Sequence, residues 1–186
     1  MHPNYNDTTV TNDIVILKFA SLKITSSFKL AFICLPKQNQ DPFQTNPNLV
    51  AIGWRTTSQY IQAYSSTSNS CQQSGTINSN LQFCAGVTTG GKDTCQGNSG
   101  SPLMTCVNNC WVLAGTTSVG IGCAQAGYPG ISEQTSTYAS FIQSTANISV
   151  INNVGQSNSS SNHANVLSNL MTMVSVGFSF LAFIFF

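Results

Sequence analysis

The sequence predicts an all-β fold, a barrel or sandwich of short antiparallel strands. Three observations predict it. Apolar runs are short, glycine and serine clusters cut them apart, and only one segment reads as a helix.

The elements follow in order. Ile14-Val15-Ile16-Leu17 is a short apolar run, consistent with a buried strand. Ala31-Phe32-Ile33-Cys34-Leu35-Pro36 is a second run, ended by proline. Residues 37–48 are polar and carry Pro42 and Pro47, which marks a loop or linker. Residues 49–54 resume as a strand. Residues 81–85 and 111–117 are further strand candidates. The helical candidate is Tyr138-Ala139-Ser140-Phe141-Ile142.

The chain has 186 residues, which suggests one domain with extra segments. Only 6% of residues are charged and the net charge is +1, so no basic surface for nucleic acid exists. Seven cysteines in a chain this small point to an oxidising compartment and disulfides. Buried thiols or a zinc site are the alternatives. Zinc is disfavoured, because no Cys-x-x-Cys pair and no clustered histidines accompany the cysteines. Neither a metal nor a cofactor is expected. The odd count leaves one cysteine without a partner in this chain.

Met1-His2-Pro3-Asn4-Tyr5 is polar and unlike a signal peptide. A secreted-type body of this kind is expected to continue upstream of Met1. At the other end, residues 155–165 are rich in serine and asparagine and should be flexible. Residues 166–186 are apolar. A small-residue stretch, a polar spacer and a terminal apolar run form the layout of a GPI-anchor signal. A transmembrane helix is the alternative, since 21 residues can span a bilayer. No Lys or Arg follows the run, which favours the GPI reading. Asn6-Asp7-Thr8, Asn147-Ile148-Ser149 and Asn158-Ser159-Ser160 fit the glycosylation sequon.

The chemistry centres on Gly97-Asn98-Ser99-Gly100. A serine between small residues can present its hydroxyl on a tight turn. Backbone N–H groups of such a turn can converge on a developing oxyanion. Alone, the pattern also fits an ordinary loop in a Ser/Gly-rich chain. Its context is more specific: Asp93-Thr94-Cys95-Gln96-Gly97-Asn98-Ser99-Gly100-Ser101-Pro102-Leu103 closely resembles the nucleophile loop of chymotrypsin/trypsin-like serine proteases. Three more blocks resemble that family in the right order. His2-Pro3-x-Tyr5 with Asn12-Asp13-Ile14-Val15 is similar to the stretch carrying the triad aspartate. Phe83-Cys84-Ala85-Gly86 is similar to the segment before the specificity pocket. Ser118-Val119-Gly120 through Tyr128-Pro129-Gly130-Ile131 is similar to the pocket's far wall. The resemblance spans roughly residues 1–145.

The resemblance implies a double antiparallel β-barrel with a short C-terminal helix. This chain would hold mainly the second barrel and the end of the first. Residues 1–36 would be a remnant of the first barrel, and 37–145 the second barrel with the nucleophile loop and pocket. Residues 146–165 would be a linker and 166–186 the anchor. Ser99 would be the nucleophile, and Asp13 would orient a histidine base. The N–H groups of Gly97 and Ser99 would form the oxyanion hole. Asp93 would floor the primary pocket and bind Lys or Arg side chains, with Ser118, Gly120 and Gly130 along its walls. The implied partners are protein or peptide substrates, inhibitors of the serpin or Kunitz type, the missing N-terminal half, and a membrane held by the tail. The implied location is extracellular, at the cell surface.

The family pattern suggests disulfides Cys71–Cys84 and Cys95–Cys123. Cys106 and Cys110 flank Val-Asn-Asn and are expected to staple a hairpin. Relatives often pair a cysteine near Cys106 with one where Leu49 stands here. Cys34 would then be unpaired in this chain, because relatives bond a cysteine in this Cys-Leu-Pro context to an upstream segment.

The sequence also departs from the family. No histidine stands where the base belongs: His2 falls in the aspartate block and His163 in the tail. Asn98 replaces an aspartate whose charge, in the family, pairs with a newly cut N-terminus. Ser101 replaces a glycine, and Val119 a tryptophan. Two readings follow. One is a trypsin-like endopeptidase whose N-terminal half lies outside this sequence. The other is a non-catalytic protease homologue that binds partners.

Overall fold

The computed structural model describes residues 1–19, 33–44, 46–53, 59–64, 68–75, 77–94 and 97–147, and the backbone of 171–175. Six strands close a barrel: β2 (Asn48–Ala51), β3 (Gln59–Tyr64), β4 (Gln82–Gly86), β5 (Pro102–Val107), β6 (Cys110–Val119) and β7 (Gly130–Gln134). The order around the barrel is β2-β3-β4-β7-β6-β5, and every pairing is antiparallel. A short helix, α1 (Asn69–Gln73), follows β3. Its N-cap is Ser68, whose hydroxyl accepts the Cys71 N–H. A second helix, α2 (Ala139–Ala146), closes the described domain. The fold is therefore mostly strand, with one closed barrel and a short C-terminal helix, as the sequence predicted.

Leu49, Ala51, Ile61, Phe83, Ala85, Leu103 and Ala114 form one buried cluster contributed by β2–β6. Side chains alternate across a strand, so the neighbours of these residues face outward. Outside the barrel, Leu113 packs against Ile14, Ile16, Tyr138 and Ile142. That second cluster seats the N-terminal segment and α2 against β6. It fixes β1 (Val15–Phe19) and, with it, Asp13.

Gly115 shows how tight the barrel is. A Cβ there would lie 2.5 Å from Phe83 Cε1 and 2.6 Å from the Glu133 carbonyl oxygen. Backbone cannot give way cheaply, so Gly115→Ala is expected to cost about 2–3 kcal/mol, read as a lower urea midpoint.

The cysteines pair differently from one expectation. Cys71 bonds to Cys84, tying α1 to β4. Cys34 bonds to Cys110, so Cys34 is not unpaired and the expected Cys106–Cys110 staple does not form. Among the described residues, Cys106 is a free, exposed thiol. The hairpin explains the correction. Asn108 and Asn109 both have positive φ, 50° and 61°, as a two-residue type I′ turn requires. That turn pairs Val107 with Cys110 and Cys106 with Trp111. Cys106 and Cys110 therefore point to opposite faces of the ribbon. Cys34 reaches Cys110 because its backbone bonds to Trp111 and Leu113 on β6. Cys123 is disulfide-bonded. The expected Cys95–Cys123 bridge involves Cys95, which lies outside the described residues.

Of the expected anchor, only β8 (Met171–Ser175) is described. It pairs antiparallel with β1, with Leu17 opposite Met173. The rest of 166–186, and the linker beyond 147, lie outside the described residues. Among the described residues, no helix is long and apolar enough to cross a membrane.

Candidate active site

The loop between β4 and β5 carries Asp93, Gly97, Asn98 and Ser99. Gly97 and Gly100 have φ of +89° and +79°, a region that disfavours side chains. They give the loop its sharp turn around Ser99, which is half-buried. The turn is pinned from behind. The Ser101 N–H donates to the Asn98 carbonyl at 2.8 Å. The Gly100 N–H donates to the Thr117 carbonyl at 2.8 Å, and the Thr117 N–H returns to the Ser101 carbonyl at 2.9 Å.

Thr117 is the neighbour of Ser118 on β6. The Ser118 hydroxyl donates to Asp13 Oδ2 at 2.7 Å. One strand end therefore holds both the serine turn, through Thr117, and Asp13, through Ser118. Burial pushes the Asp13 carboxyl above its usual range, and the Ser118 hydrogen bond opposes that rise. No base stands at Asp13 among the described residues. The His2 ring packs on Tyr138 and Phe141, at centroid distances of 5.6 and 4.6 Å. His163 lies outside the described residues.

Of the residues expected along the pocket, Asp93, Gly120 and Gly130 lie close together, while the Ser118 hydroxyl bonds to Asp13. Asp93 is 8% exposed. Its Oδ1 accepts the Thr94 N–H at 2.7 Å, the Gly130 N–H at 3.3 Å and the Thr94 hydroxyl at 3.4 Å. Burial pushes its carboxyl up to about 6, against the pull of these hydrogen bonds. Glycine is needed at 130. A Cβ there would lie 2.8 Å from Thr94 Oγ1 and 3.0 Å from Asp93 Oδ1. Gly120 faces Gly130: its added Cβ would sit 3.6 Å from the Gly130 Cα. A buried carboxylate thus lies against one glycine, with a second glycine beside the first.

Asn98 is 3% exposed, and its Oδ1 has no hydrogen-bond partner. It presses on Gly53, where a Cβ would come within 2.4 Å of that oxygen. The Ser101 hydroxyl is likewise buried without a partner.

Reasoning from sequence missed Thr94 at the pocket floor and Gly53 behind the loop. It also missed a buried polar group formed by Gln82, Glu133 and Tyr138. One signal was available: Glu133 is the last charged residue of the chain and sits two residues after Ile131.

Comparison with known proteins agrees with this geometry. The family model for Trypsin matches residues 1–142. Serine protease 1 of Canis lupus familiaris is 36% identical over 156 residues, covering 77% of this chain and 60% of that protein. Trypsin of Xenopus laevis is 35% identical over 156 residues, covering 77% and 60%. Trypsin Blo t 3 of Blomia tropicalis is 34% identical over 157 residues, covering 76% and 57%. The chain thus spans less than two thirds of the length of each of these relatives. With the family profile covering most of the chain and the barrel built around its motifs, the chain belongs to the trypsin family of chymotrypsin-like serine proteases.

Proposed function

We propose that the chain carries the nucleophile, aspartate and specificity pocket of a serine endopeptidase that cleaves after Lys or Arg. The observation that carries this reading is Asp93, a buried carboxylate with no cation among its described neighbours, held against Gly130, which in turn faces Gly120. A substrate Lys or Arg side chain supplies the missing charge.

In the proposed reaction the Ser99 hydroxyl oxygen attacks the carbonyl carbon, and its proton passes to a histidine base. Asp13, held by Ser118, orients that base and stabilises its charged form. The N–H groups of Gly97 and Ser99 take the oxyanion. The peptide C–N bond breaks, the amine leaves with the base's proton, and water then hydrolyses the acyl-enzyme. The base comes from outside the described residues. We further propose an extracellular location, with residues 166–186 as a membrane anchor of the GPI type.

A second reading, a non-catalytic homologue that binds partners, draws on Asn98 and Ser101, whose buried oxygens lack partners. Cleavage of an unbiased peptide mixture by the protein expressed from its full transcript separates the two. Cuts after Lys and Arg are expected. Cuts after aromatic or small residues overturn the pocket assignment. No cutting by correctly folded protein favours the homologue.

A further inference from the structure

The turn that delivers Asp13 is strained. Val10 and Asn12 have φ of 47° and 55°, and a β-branched residue rarely adopts such a value. Conformations of this kind persist only where surrounding structure over-determines them. Here the determining group lies beneath the turn. Glu133 on β7 is fully buried, opposite Gln82 on β4 and Thr116 on β6.

Three donors converge on this carboxylate. Gln82 Nε2 donates to Oε1 at 2.8 Å, the Tyr138 hydroxyl donates to Oε2, and the Asp13 backbone N–H donates as well. The donors grip the turn in their own right. Gln82 Nε2 also donates to the Val10 carbonyl at 2.6 Å, and the Asn12 backbone bonds to the Tyr138 hydroxyl. Glu133 and its two neighbours therefore hold the turn at residues 10, 12 and 13. None of these grips is apolar, so packing alone does not replace them.

We propose that Glu133 is a positioning residue, whose side chain seats the strained turn at residues 10–13 and so aims Asp13 at Ser118. Its significance for catalysis rests on the proposed role of Asp13; the seating itself does not.

The seating depends on pH. Burial pushes the Glu133 carboxyl up to about 7, against the hydrogen bonds of Tyr138 and Gln82, and the Asp13 charge adds to the rise. The facing groups are Asp13 from the N-terminal segment and Tyr138 before α2, with the His2 ring against Tyr138. The flanking strands contribute only the neutral Gln82 and Thr116. Lifting the turn exposes the carboxyl to water, where its pKa falls back. The seated form therefore binds the proton more tightly than the lifted form. Seating is tightest below the lifted-state value and weakens as pH rises towards 7.

Amide hydrogen exchange on the full chain tests this, with rates corrected for intrinsic pH dependence. Protection at Asn12 and Asp13 is expected to fall as pH rises from 5 to 7, relative to barrel amides such as Leu113. Glu133→Gln, a neutral isostere, is expected to keep the protection and flatten the profile. Glu133→Leu and Tyr138→Phe are each expected to lower protection at these two amides about tenfold, with Leu113 unchanged. If the leucine variant does not fold, the other two decide. Unchanged protection at Asn12 and Asp13 overturns the proposal. So does a uniform loss across the barrel, or a Glu133→Gln profile as steep as the parent's. Asp13→Asn is the separate arm. If it leaves Ser99 reactivity intact in the whole protein, the triad role of Asp13 fails while the exchange result stands.

Discussion

Replacing Asp93 with asparagine is expected to weaken binding of an arylamidinium cation at least about 30-fold while raising the melting temperature. Asparagine retains an oxygen that can accept the Thr94 and Gly130 N–H groups. It removes only the charge. Losing one partner of a desolvated charge pair costs about 2–5 kcal/mol, and each 1.4 kcal/mol is tenfold in affinity. The gain in stability has the same origin. A carboxyl raised to about 6 by burial is costly to the fold once ionised, and the amide carries no such cost.

The pH dependence supplies a second signature. The cation needs the ionised carboxylate, so affinity is expected to be flat above about pH 7 and to fall about tenfold by pH 5. Isothermal titration of parent and variant at pH 5 and 8 reads both effects. Equal affinity in the two proteins at pH 8 contradicts the pocket assignment. Neither measurement needs the histidine base, so the pocket is testable apart from turnover.

Asn98→Asp is expected to destabilise this chain by about 3–5 kcal/mol at pH 8, the cost of a buried charge left without a partner. Asn98 Oδ1 already lacks a donor and lies against Gly53 with no room to move. A carboxylate there gains no new donor and loses its hydration. Its pKa is expected to rise, so the penalty shrinks as pH falls through the raised value and the group is protonated. Urea titrations at pH 5 and 8 measure the difference. A neutral effect at pH 8 means that a cation already faces the site. The loop that carries Ser99 is held by backbone bonds through Thr117.

The closeness of Asp93, Gly120 and Gly130 was legible in the sequence because all three are motif residues. Asp93 sits in one block and Gly120 and Gly130 in another, blocks whose order and spacing carry the family resemblance; folding bonds the Gly130 N–H to Asp93 and sets Gly120 beside Gly130. The barrel was less legible. β7 reads as polar because Ser132 and Glu133 are buried polar residues inside it. β5 begins at Pro102, inside the motif, and so reads as the motif's tail. The Asp13–Ser118 contact joins residues 105 apart, a relation that no local spacing expresses.

The disulfide error was avoidable. Val-Asn-Asn-Cys contains a two-residue turn of residues tolerant of positive φ, and that turn already places Cys106 and Cys110 on opposite faces. Chain proximity outweighed strand geometry in the expectation. The Glu133 group was invisible for another reason. A single glutamate in a strand says nothing about whether three donors will meet it.

Ser99 is the proposed nucleophile of a serine protease site. Labelling by a fluorophosphonate probe, in protein expressed from the full transcript and confirmed as folded, tests it most directly. The expected result is stoichiometric label on the peptide containing Ser99, abolished by Ser99→Ala and slowed by Asp13→Asn. Folded protein that leaves Ser99 unlabelled, or carries the label on another serine, contradicts the account.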